Sequence, residues 1–423
     1  VLEPLIQQLS EGKALSAAQV TDAVAALTSE SISVESKAAL LTALAKKGET
    51  PEEISAFAHE LRARSIQPPL DAETRAQEIL DVCGTGGDHL GTFNISTTVA
   101  IVCAAAGVLV AKHGNRAITS KSGSADVLEA LGIRIDLSPA EAAASLRDHG
   151  FAFFFAPNYH PAFKHIAPAR KLCAERGQRT IFNFLGPLLN PVRPTAQLLG
   201  VPKPELCAPL AQVLQSLDLR RGMVVCGEIP LVKQFPSLDA GSMNGAELLR
   251  VIDTDGKLIP SLSVQAACEL AQTRNATLIA LAPKANPPVY RLIHSHVIER
   301  LRHDDSPKQC ILDELSTLGP NRLAEFYQER GFATSQLDPK EFPLQPATFA
   351  DLVGGDREAN AEMIREILGG TERGPKRDAV LLNSAAALFV ANRVRSMSEG
   401  WELASEVIDN GKATAKLAEL QQR

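Results

Sequence analysis

The chain is poor in aromatic residues, which make up 4% of it with one Trp and three Tyr. Base-stacking platforms for single-stranded nucleic acid need more of them. It has no basic excess either: 43 Lys and Arg against 49 Asp and Glu leave a net charge of −6. No nucleic-acid partner is therefore expected. The seven cysteines (Cys83, Cys103, Cys173, Cys207, Cys226, Cys268, Cys310) form no C-x-x-C pair. That excludes a disulfide framework and a clustered zinc site, and points to reduced thiols in the cytoplasm. The longest apolar run, Val99–Ala111, is too short to span a bilayer. The amphipathic opening VLEPLIQQLSEGKALS carries no signal-like apolar segment. The glycine-rich loops hold neither G-x-x-x-x-G-K-[ST] nor G-x-G-x-x-G, so an ATPase or a dinucleotide enzyme is not supported. A nucleophile elbow and H-E-x-x-H are missing too.

What remains is a globular composition, 45% hydrophobic and 22% charged, over 423 residues. At about 150 residues per domain that is material for roughly three domains. The first 66 residues read as helices. Ser16 is a plausible cap, Val34–Lys47 is amphipathic, and Thr50-Pro51-Glu52-Glu53 supplies a cap, an N1 proline and acidic first-turn residues. From Ile79 the pattern changes to short apolar strands alternating with Ala-rich helices, the rhythm of an α/β fold with a parallel or mixed sheet. In such sheets a ligand sits beyond the carboxyl ends of the strands.

The loops at those ends carry the chemistry. Gly84-Thr85-Gly86-Gly87-Asp88 follows a strand, and its glycines let consecutive N–H groups converge on an anion. Asn94-Ile95-Ser96-Thr97-Thr98 then opens a helix whose free N–H groups suit a phosphate. Either piece alone reads better as a tight turn or a capped helix; together they favour phosphate. The next strand ends in Lys112-His113-Gly114-Asn115-Arg116, which offers a point charge, a neutral donor–acceptor and a bidentate fork. A loop histidine and a surface ion pair are the bland alternatives for His113 and Arg116. Ser120-Lys121-Ser122-Gly123-Ser124-Ala125-Asp126 is a further hydroxyl-rich turn.

These segments, with TIFNFLGPLLNP, LVGGDREANAEMIREILGG and GPKRDAVLLNSAAALFVA, resemble the anthranilate phosphoribosyltransferases of tryptophan biosynthesis. The resemblance implies a transferase joining phosphoribosyl pyrophosphate to the amino group of anthranilate, with release of pyrophosphate and with Mg2+ as cofactor. It implies a helical domain at 1–75, joined by about 166–196, and an α/β domain at 76–165 and 197–423. It implies a homodimer as well. Carried over by motif, Gly84, Gly87, Asp88, Thr92, Asn94, Ser96, Thr97, Lys112, Asn115, Arg116, Ser120 and Ser124 would bind phosphoribosyl pyrophosphate. Gly84, His113, Asn115, His160 and Arg170 would face anthranilate, Arg170 through its carboxylate. Ser96 would also face the metal.

Two departures stand out. After the strand Met223–Gly227 the family carries an Asp-Glu pair for magnesium, and carboxylates suit a hard cation there. Here Leu238-Asp239-Ala240 keeps the Asp and loses the Glu, which leaves Asp239 with Glu228 or Glu247 as candidate ligands. The second is an apparent insertion over 259–332, too long for a structureless loop and expected to be a largely helical sub-domain. Two other readings stay open: a different aromatic acceptor, or a non-catalytic relative with a degraded metal site.

Overall fold

The computed structural model describes residues 2–88, 90–117, 122–230, 248–254, 258–282, 287–294, 309–328 and 331–422. Four helices open the chain: α1 (Glu3–Ser10), α2 (Ala17–Thr28), α3 (Val34–Lys47) and α4 (Pro51–Ala63). Ser16 and Thr50 each close a reciprocal capping box, with Gln19 and Glu53, satisfying N–H groups that the first helical turn leaves free. After the short α5 (Ala72–Ala76) comes an alternation: β1 (Ile79–Gly84), α6 (Ile95–Ala105), β2 (Leu109–Gly114), α7 (Ser124–Ala130), α8 (Pro139–His149) and β3 (Phe151–Phe155). The chain then returns to the helical side through α9 (Ala156–Tyr159), α10 (Ala167–Glu175) and α11 (Phe182–Leu188). It re-enters the sheet at β4 (Ala196–Gly200), passes α12 (Cys207–Ser216) and reaches β5 (Arg221–Pro230).

The strands β3-β2-β1-β4-β5 are parallel. Antiparallel additions on the far edge of β5 make the sheet mixed. Alternation along β5 sorts its side chains between two cores. Met223 and Val225 pack with α6 and the late helix Pro375–Val390. Val224 and Cys226 pack with α12, α10 and the N-terminal helices. The helical unit therefore rests directly on one face of the sheet, and α10 and α11 belong to its core as Ala169, Cys173, Leu185 and Leu188.

The apparent insertion is corrected on two counts. Among the described residues its strands are β6 (Leu248–Ile252), β7 (Leu258–Ser263), β8 (Ala276–Ala282) and β9 (Val289–His294), with one helix, α13 (Val264–Thr273). They form a separate sheet in the order β7-β6-β9-β8 around Leu249, Val251, Leu278, Tyr290 and Leu292. The described residues of the unit are thus mainly strand, not mainly helix, because VYRLIH alternates and pairs with strands on both sides. Its boundaries also shift. β10 (Gln309–Leu312) and β11 (Asn321–Tyr327) pair with β5, and β12 (Gly331–Leu337) pairs with β11, so these strands belong to the main sheet.

β10 and β11 are two halves of one interrupted edge strand. β10 runs antiparallel along residues 230 to 227 of β5, and β11 continues from 227 to 221. Between them residues 313–320 leave the ladder, and Gly227 stands where they depart: a Cβ there would press into Glu314 and Ser316.

Candidate active site

The excursion carries Asp313 and Glu314 across the carboxyl ends of β1 and β4. Only glycines let it pass so close. A Cβ on Gly84 would collide with the Asp313 carboxylate, and one on Gly200 with its carbonyl. Gly86, at φ +69°, aims its N–H at Asp313 Oδ2, 2.8 Å away. Asparagines lock the segment from behind. Asn383 donates to the Leu315 carbonyl and accepts from its N–H, both at 2.9 Å. Asn321 accepts from Ser316 N–H at 2.6 Å and donates back to its carbonyl at 3.0 Å.

Asp88, from the glycine turn, joins them. Carboxylate oxygens of Asp88, Asp313 and Glu314 lie within 4.8 Å of one another. Burial, then the neighbouring charge of Asp88, pushes Asp313 well above the usual carboxylate range; burial and the Asp313 charge do the same to Glu314. Asp88 Oδ2 and Glu314 Oε2 are buried without a hydrogen-bond partner among the described residues. Three crowded carboxylates with orphaned oxygens fit a hard, oxygen-seeking divalent cation. Lys112 stands nearby, almost fully buried, its Nζ 2.7 Å from the Val82 carbonyl and 3.5 Å from Ser96 Oγ.

None of the carboxylates expected from sequence to hold the metal is described within this group. Asp239 and Ala240 lie outside the described residues, as does Glu247. Glu228 is not in the carboxylate group: it sits on β5 opposite Ile311, its carboxylate 3.6 Å from Arg322 Nε. Leu312-Asp313-Glu314 carries the Asp-Glu pattern that was sought at Leu238, and that triplet was the signal overlooked.

The other expected residues gather unevenly. Gly84, Gly87 and Asp88 form the turn, Gly87 at φ +90°. Thr92 bridges Val353. Asn94 precedes α6, its amide held by Asn360 at 2.9 Å and by the Ser122 carbonyl at 3.1 Å. Thr97 is buried with Oγ1 unpartnered among the described residues, and Ser96 lies on the first turn of α6. Asn115 accepts from Arg116 N–H at 2.8 Å. The Arg116 guanidinium turns to Asp126 and Glu129 on α7, at 3.1 and 3.0 Å, the surface ion pair weighed as its alternative. Ser124 begins α7; Ser120 lies outside the described residues.

On the helical side, His113 ends β2 beside His160, their ring centroids 5.3 Å apart and edge-on. His160 stacks on Phe163 at 5.2 Å, Phe163 meets Phe182 edge-on at 5.7 Å, and Arg170 lies over Phe182 at 5.1 Å. The result is a continuous ladder of rings with a cation at its far end. Burial, with His160 adding a little, lowers His113 to about 3, and burial lowers His160 to about 4. Both imidazoles are therefore neutral at pH 7, and the Nε2 of each is buried without a partner among the described residues. Phe163 and Phe182 were not anticipated from sequence, because the ladder assembles residues from three separate segments.

Beneath this site Asp81 is fully buried on β1. It accepts from Asn190 Nδ2 at 2.9 Å and from His113 N–H at 3.4 Å. Asn190 also donates to the Ala111 carbonyl at 2.7 Å, so one amide ties β1, β2 and the α11–β4 connection together.

Three family profiles match the chain. The glycosyl transferase family α/β domain covers 76–234 and 307–414, and the helical bundle domain of that family covers 3–65. The interval between the two α/β segments carries its own match, at 245–301, to the translation initiation factor IF-3 N-terminal domain. The anthranilate phosphoribosyltransferase of Petrotoga mobilis is 36% identical over 415 residues, 98% of this chain and 94% of that one. The chain belongs to the anthranilate phosphoribosyltransferase family. The family member of Acetivibrio thermocellus is 37% identical over 99% of this chain and 95% of its own. The crystal structure of the Thermus thermophilus member superimposes with a TM-score of 0.72 at 33% identity, covering 99% of this chain and 98% of that chain. The Saccharomyces cerevisiae enzyme, solved with PRPP and Mg, shares the fold at a TM-score of 0.70 and 22% identity.

Proposed function

We propose that the protein transfers the phosphoribosyl group of phosphoribosyl pyrophosphate to the amino group of anthranilate, releasing pyrophosphate, in tryptophan biosynthesis. The observation that carries this reading is the carboxylate group Asp88, Asp313 and Glu314, with orphaned oxygens, at the glycine turn. These three would hold Mg2+, which when bound neutralises charge on a diphosphate leaving group. The turn N–H groups and Lys112 supply further positive potential at the strand ends. On the acceptor side the imidazole rings of His113 and His160 suit a flat aromatic, and Arg170 suits a carboxylate. Its side chain makes no ion pair or hydrogen bond among the described residues, only the contact with Phe182. The neutral Nε2 atoms of His113 and His160 are acceptors of the kind an aryl amino group donates to. Reaction at a positioned, uncharged amine needs orientation and electrostatics more than a strong base.

With Asp313-Glu314 intact, the argument for a degraded, non-catalytic relative loses its support. The homodimer and the cytoplasmic setting belong to the same proposal. The setting is supported by six described cysteines that are all free and by the lack, among the described residues, of a helix long and apolar enough to cross a membrane. Light scattering after size exclusion tests the dimer. The activity is tested by following anthranilate fluorescence with phosphoribosyl pyrophosphate and Mg2+. Undiminished fluorescence, with both ligands shown to bind, would sink the transferase reading.

A further inference from the structure

We propose that Phe182 is a positioning residue that sets acceptor selectivity, by holding the Arg170 guanidinium where it can receive a carboxylate. The inference rests on the transferase reading and deepens its acceptor half. Arginine is long, with much rotamer freedom to lose on binding. Arg170 has no acid to hold it among the described residues, and burial is the only cause lowering its pKa. What it has is the face of Phe182, 5.1 Å below Cζ. A ring face attracts a guanidinium without using its N–H donors, so the fork stays directed and available.

Phe182 can serve this way because it cannot turn aside. It is 6% exposed, begins α11 and meets Phe163 edge-on at an interplanar angle of 87°. Phe163 in turn stacks at 20° on His160, whose ring abuts His113 at the end of β2. The position of the cation is thereby referenced, ring by ring, to the strand end where the acceptor amine must meet the ribosyl carbon. A flat amino acid carrying its carboxylate on the ring is the ligand class that uses both ends of such a ladder. An isosteric neutral amide would use only the imidazole end, away from Phe182.

The test compares Phe182→Leu, Phe182→Tyr and Arg170→Ala in the full chain. Phe182→Leu is expected to raise KM for anthranilate about tenfold, with kcat and KM for phosphoribosyl pyrophosphate within twofold of wild type. Inhibition by 2-aminobenzamide, which lacks the negative charge, should be unchanged. Phe182→Tyr, which keeps the ring face, should restore KM. Equal damage from Leu and Tyr, or a loss shared by anthranilate and 2-aminobenzamide, would overturn the proposal in favour of simple core packing. If wild type turns over anthranilate but Arg170→Ala leaves KM unchanged, the proposal also falls while the transferase reading stands. If wild type is inert, that reading fails. Calorimetric anthranilate binding then decides Phe182: Kd weaker for Leu and restored by Tyr supports it, and no contrast overturns it.

Discussion

Replacing Asp313 by Asn should make the metal-free protein more stable while removing its response to Mg2+. The three carboxylates lie within 4.8 Å of one another. At an effective dielectric of about 20, two unit charges at that distance repel by about 3 kcal/mol. Asp313 takes part in two of the three pairs. Burial and mutual repulsion push Asp313 and Glu314 above the usual carboxylate range, so the recoverable stabilisation is smaller than full repulsion, about 1–3 kcal/mol. The hydrogen bond from Gly86 N–H survives, since an amide oxygen can replace Oδ2. In a chain of this size such a gain raises the thermal midpoint by a few degrees. The assay is thermal unfolding in chelator and then across a Mg2+ titration. Wild type should rise with Mg2+ as the logarithm of its concentration over Kd; the variant should start higher and stay flat. A variant less stable than wild type in chelator, or one that responds equally to Mg2+, would refute the reasoning. The carboxylates would then be ordinary structural groups.

Arg170→Ala should raise KM for anthranilate about 10- to 100-fold, the worth of charge-assisted hydrogen bonds, and leave KM for phosphoribosyl pyrophosphate unchanged in steady-state kinetics. Burial holds His113 and His160 at about 3 and about 4, below the ordinary value near 6.5. The unfolded chain therefore takes up protons first, and stability falls as pH drops from about 6.5 toward 4. His160→Gln should flatten that part of the denaturation profile. Asn383→Leu orphans the N–H and carbonyl of Leu315; a loss of about 2–5 kcal/mol is expected by urea unfolding, with a higher Mg2+ concentration for half-maximal activity. Because Pro230 and Gln309 face each other across an antiparallel pair, replacing 231–308 with a two-residue Asn-Gly turn should close the hairpin. Transferase kinetics should be preserved; inactivity in a folded deletion variant would show that the inserted unit serves the site.

The halves of the site differed in legibility for a physical reason. The glycine turn, the α6 N-terminus and the Lys112-His113 strand end are local: each motif needs only a few consecutive residues to imply an anion cradle, and each stands at a strand's carboxyl end as read. The carboxylates are not local in that sense. Asp313 and Glu314 follow β5 closely in space, through the pairing of Leu312 with Gly227, but a whole folded unit separates them from β5 in sequence. Reading forward from the strand meets Leu238-Asp239 first, a look-alike that stops one residue short. Apolar alternation in NRLAEFY likewise passed for helix, because what makes it a strand is the exposed edge of β5, far away in the chain. The ring ladder lies further still from sequence reading: Phe163 and Phe182 look like any buried aromatics until the fold sets them between a histidine and an arginine. An insertion is accommodated at this point because its two ends are already hydrogen-bonded to each other. The core therefore sees only a hairpin, and the segment that follows is free to keep its Asp-Glu pair where β1 and β4 end in glycine.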